Sequence, residues 1–80
     1  MSDEVEVDID AVYGVIWMIK LRGNFRCTVK ELERVGFEKV LRRYGVDYNE
    51  FTGTEKMLLR TELRALAENY ALEKLLGIRK

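Results

Sequence analysis

The chain has 80 residues, 48% hydrophobic and 35% charged, with fourteen bases against fourteen acids and neither His nor Pro. That composition excludes a disordered chain, and an apolar run no longer than Val15–Ile19 excludes a membrane span, which needs about 20 apolar residues. It specifies a single domain, near the size at which one core barely suffices and self-association becomes an expected source of stability.

The neutral total conceals segregated charge. Asp3, Glu4, Glu6, Asp8 and Asp10 form an acidic N-terminal stretch without a base, whereas from Lys20 to Arg43 eight bases face three acids. From Tyr44 onward the two signs balance. Such asymmetry points to a nucleic acid or another acidic partner. Cys27 is the only cysteine, which excludes an intramolecular disulfide. The acidic start lacks the basic region of a signal peptide, so an intracellular, cytoplasmic protein is expected. Abundant Glu, Lys and Arg beside few thermolabile amides point to a thermophilic source.

Residues 4–10 alternate acidic and apolar side chains, a pattern that suits a short strand or an extended arm over residues 1–8. A helix is predicted from Ile9 to Arg22. Its apolar residues run nearly all the way round, with Ile9, Val12, Tyr13, Ile16 and Ile19 on one side and Trp17, Met18 and Leu21 on the other. Such a helix is expected to be buried, and Gly14 within it to mark the close approach of another backbone. A β-hairpin over 15–29, turning at Gly23-Asn24, is the competing pattern.

Thr28 and Glu31 have the spacing of a capping box and start the next helix. Its face of Val29, Leu32 and Val35 is out of phase with the following Phe37, Val40, Leu41 and Tyr44. Two short helices broken at Gly36 let both faces enter one core. Gly45 supplies a left-handed end to the second of them. Tyr48 and Phe51 anchor the loop that follows. A long final helix is predicted from Glu55 to Leu76, capped by Thr54 and stopped by Gly77. It carries two stripes, Leu59-Leu63-Leu66-Tyr70 and Leu58-Ala65-Leu72-Leu76, and the second requires a partner. The expected fold is all-α: a small single-domain bundle of about four helices, with the two short helices at its centre.

Catalytic chemistry is sparse. Without His there is no imidazole base, one thiol cannot build a zinc site, and Ser2 is the only serine. No glycine-rich phosphate loop or calcium-loop spacing occurs. Cys27 beside Arg26 is a nucleophile only in principle, and a small packed core residue is the plainer role. No enzyme activity, cofactor or metal is expected.

The segment Thr28–Tyr44, with its capped first helix, Glu31-Leu32 pair, Gly36 turn and second helix, resembles the core of helix-turn-helix DNA-binding domains. The resemblance covers 17 residues and lacks a wing, because Val46–Gly53 is too short for a hairpin. It implies double-stranded DNA as partner, with Lys39, Arg42 and Arg43 facing phosphates or base edges and Thr28 and Lys30 beside the backbone. A homodimeric regulator would then form through Leu58, Ala65, Leu72 and Leu76 of the final helix. The alternative is a helical protein-interaction module or accessory subunit, with Trp17 and Tyr70 as anchors.

Overall fold

A computed structural model describes residues 7–77. They form helices α1 (Ile9–Arg22), α2 (Val29–Val35) and α3 (Phe37–Arg42), a 3-10 turn at Tyr48–Glu50, and helix α4 (Gly53–Leu76). The fold is all-α, with no strand among the described residues. Residues 1–6 of the expected arm lie outside the described residues. No described helix is long and apolar enough to cross a membrane.

Helix α1 occupies the predicted span, so no hairpin forms over 15–29. Asp8 caps it by accepting the Ala11 N–H at 3.0 Å, and Gly23, at φ 67°, closes it. Burial around α1 requires a correction. Val12, Ile16 and Ile19 are buried, but Ile9, Tyr13, Trp17 and Leu21 are exposed. One side of α1 is covered by the other helices, and no described helix covers the opposite side. Gly14 is corrected too: a Cβ built there meets nothing within 4 Å, so no backbone among the described residues approaches it.

The capping box of α2 is complete. Thr28 Oγ1 accepts the Glu31 N–H at 3.2 Å, and Glu31 Oε1 accepts the Thr28 N–H at 3.1 Å. Gly36 separates α2 from α3 at φ 101°, ψ 142°, a conformation that side-chain-bearing residues rarely adopt. The break sends Leu32 of α2 and Val40 and Leu41 of α3 into the same core, as their phases require. Beyond α3, Gly45 donates to the Arg42 carbonyl at 2.9 Å and Val46 to that of Leu41 at 3.1 Å. This paired arrangement is a Schellman closure, and Gly45 at φ 78° is its left-handed residue. Tyr48 and Phe51 rest half-buried on the core as expected, and Arg60 donates to the Tyr48 hydroxyl at 2.7 Å.

Helix α4 begins earlier than predicted. Its cap is Thr52 rather than Thr54: Thr52 Oγ1 accepts the Glu55 N–H at 3.2 Å and Glu55 Oε1 accepts the Thr52 N–H at 2.8 Å. Only Thr52 has a Glu three residues on; from Thr54 that place belongs to Met57. The buried ridge is Leu59, Leu63 and Ala67, while Leu66 and Tyr70 are half-buried.

Helices α1 and α4 run side by side in the same direction. Asp8 meets Glu55 at their starts, and Ile19, Gly23, Leu66 and Tyr70 border one cleft farther along. Because α4 is ten residues longer than α1 (24 against 14), its last turns project from the body. The molecule is therefore elongated, 52 × 23 × 20 Å, with Leu72, Leu75 and Leu76 exposed at one end.

Candidate nucleic-acid interface

The C-terminal ends of helices carry partial negative charge and favour cations in the last turn. Lys20 and Arg22 occupy that place on α1, and Lys39 and Arg42 on α3. The chain folds so that these two ends converge. The Arg22 guanidinium lies 5.9 Å from the centre of the Tyr44 ring, and the Tyr44 hydroxyl donates to Asn24 Oδ1 at 3.1 Å. Burial raises the Tyr44 phenol, with Cys27 adding to the rise and Arg22 and Arg43 opposing it. Burial likewise raises the Cys27 thiol, against the hydrogen-bonded Arg43 guanidinium. Cys27 is thus a protonated, half-buried packing residue.

Lys39, Arg42 and Arg43 are all exposed, as the inward phase of Val40 and Leu41 dictates. Arg42 is the most constrained of the three, donating to Glu38 Oε2 at 3.1 Å. The same oxygen accepts from Asn49 Nδ2 at 3.0 Å, so Glu38 already has two donors. The other described ion pair, Arg64–Glu33 at 3.5 Å, belongs to the α2–α4 side. Arg22, Arg26, Lys30, Lys39 and Arg43 enter no ion pair among the described residues. Arg22 and Arg43 meet around Tyr44 in a cationic corner, with Asn24 bonded to the Tyr44 hydroxyl; exposed Lys39 lies one turn before Arg43, and exposed Arg26 follows Asn24 by two residues.

Thr28 has a different role from the one the resemblance implies. Its hydroxyl and amide are engaged with Glu31, whose carboxyl the Thr28 N–H holds below its ordinary pKa. A carboxylate already occupies the start of α2, which disfavours a phosphate there. Lys30 is exposed in the adjacent turn. The sequence implied no nucleic-acid contact for Arg22 or Arg26, although both lie in the basic stretch; the expected action of Arg26 on the Cys27 thiol falls to Arg43 instead. The cue was structural: Gly23 turns the chain so that Arg22 meets residues about twenty positions later.

The α2–Gly36–α3 unit matches the helix-turn-helix order of elements. A single residue joins its helices, where helix-turn-helix hinges use three or four, and α3 has only six residues. Of the four residues expected at a dimer contact, Leu58 is half-buried on its own core, while Ala65, Leu72 and Leu76 are exposed. No group of three or more potential metal ligands is assembled among the described residues. The chain matches no protein-family model, no curated protein and no solved structure.

Proposed function

We propose that the protein binds nucleic acid, with double-stranded DNA as the favoured partner, by gripping phosphates at the corner where α1 and α3 end. The observation that carries this reading is the convergence of Arg22 and Arg43 on Tyr44, with Lys39 and Arg42 exposed on the adjoining helix and Arg26 exposed in the connection. Guanidinium groups pair with phosphate oxygens in a planar fork. Tyr44, under Arg22, holds one of these forks in place. A helix as short as α3 is better suited to backbone contacts than to reading base edges along a groove, so weak sequence preference is expected. A helix-turn-helix-like regulator is the biological role we favour.

The test is duplex binding across a salt series, with Lys39, Arg42 and Arg43 replaced by Ala together. Removing one cation that pairs with a phosphate flattens the log–log salt dependence by about 0.9. A reduction of roughly two to three units is expected. A triple variant with the parent's slope would remove these side chains from the interface.

A second reading, a helical module that holds another protein, draws on the exposed Trp17 and its neighbours on α1. A chain with no salt-dependent affinity for duplex or single-stranded nucleic acid would favour it.

A further inference from the structure

The apolar side of α1 left uncovered by the fold is not scattered. Ile9, Tyr13, Trp17 and Leu21 are spaced four apart and form one continuous ridge. Beside it Gly14 adds no side-chain bulk. With α1 and α4 aligned in the same direction, helical phase turns Ala65, Leu72 and Leu76 of α4 to this same side, the two leucines on the turns that project beyond α1. We infer that this α1–α4 face is an isologous interface, and that its occupant is a second copy of this chain.

Three observations select a copy over a different protein. The ridge reads the same in both directions, with two aromatics at the centre and an aliphatic residue at each end. A two-fold axis between Tyr13 and Trp17 lays it along its equal, with Trp17 of each copy beside Tyr13 of the other and Leu21 beside Ile9. Ridges of this spacing pack on one another at the commonest helix-crossing angle, about −50°.

The second observation is area. Ile9 is 50% exposed, Tyr13 39%, Trp17 62%, Leu21 77%, Leu72 53% and Leu76 66%. At roughly 200 Å² for a whole large residue, these six offer on the order of 700 Å² per copy. A stable interface takes about 800 Å² from each partner. The third is charge: a chain of net zero meets no overall repulsion from its own copy. The core gives such pairing a purpose, because only ten hydrophobic side chains are buried within the described chain.

This interface goes beyond the nucleic-acid reading and is spatially separate from it. Trp17 and Arg22 are five residues apart, which places them about 140° apart around α1. Either proposal can therefore fail alone.

The experiment uses the full chain without nucleic acid. Sedimentation across a dilution series should give twice the chain mass of 9.4 kDa at the concentrated end. Trp17 is the only tryptophan, so its emission reports the interface directly in the unaltered protein. Emission should shift red on dilution, in step with the fall in mass. Trp17→Glu, at an exposed position, should keep the helical circular dichroism and weaken dimerisation by about 30-fold or more. Leu75→Glu, at a position more exposed still but off the ridge, should leave the dimer intact. A wild-type monomer throughout would overturn the proposal and leave the face to a different protein. So would a dimer whose Trp17 emission stays fully solvated, or one that tolerates Trp17→Glu but dissociates with Leu75→Glu.

Discussion

Glu55 is the only charged residue buried among the described ones, 7% exposed, and its position explains how two helix starts are held together. One carboxylate oxygen accepts the Thr52 N–H at 2.8 Å and the other accepts the Asp8 N–H at 2.6 Å. A single side chain thus satisfies donors at the beginnings of both α1 and α4, where the helix dipoles also favour negative charge. The Asp8 amide, then the Thr52 amide, hold the Glu55 carboxyl below its ordinary value of 4.5, and the opposing cost of desolvation does not reverse this. A carboxyl depressed in the folded state contributes stability that is complete above the unfolded pKa. That contribution is lost as pH falls through the folded value. Glu55→Gln should therefore lower the melting temperature at pH 7. The gap to wild type should then narrow steadily once pH drops below about 4.5. Melts at intervals from pH 7 to pH 3 would show this, and a gap that stays constant with pH would mean the charge is irrelevant to the clamp.

At the scale of the element, the two threonines near the start of α4 separate a cap from a bystander. Thr52 makes the reciprocal bonds with Glu55, whereas Thr54 already lies within the helix. Thr52→Ala should cost about 1 kcal/mol in a urea titration. Thr54→Ala should stay within about 0.5 kcal/mol of wild type. Equal costs would contradict the assigned start. These helices show which part of the fold could be read from the chain. The α2 capping box and the Gly45 and Gly77 stops depend on residues about one turn apart, and the α1 span and the Gly36 break on the phase of successive apolar residues, so sequence spacing defines them. The α4 start was misplaced because two threonines compete, and only the position of Glu55 decides between them. Burial was less legible. A face apolar in sequence becomes buried only if another helix reaches it, and Tyr13 and Trp17 were left without one. The candidate site divides in the same way. Lys39, Arg42 and Arg43 followed from the phase of α3, but the cationic corner depends on Arg22 folding against Tyr44, a pairing no local pattern encodes.

For the whole molecule, the positions of the cationic corner and the apolar ridge determine what a dimer could hold. The corner flanks α3, on the side of α1 turned away from Trp17. Two copies joined through their ridges would therefore carry their corners on opposite flanks. Helix-turn-helix dimers instead present two reading helices to one side of a single duplex, about 34 Å apart. If both proposals hold, this arrangement would favour bridging, one dimer engaging two separate duplexes, each through one corner. Short duplexes mixed with excess wild-type protein should sediment as complexes containing two duplexes per dimer. Trp17→Glu should give complexes with one duplex each, while keeping the parent's salt slope per corner because its phosphate-binding side chains are untouched. One duplex per wild-type dimer would place both corners on a common face and require a different pairing of the copies.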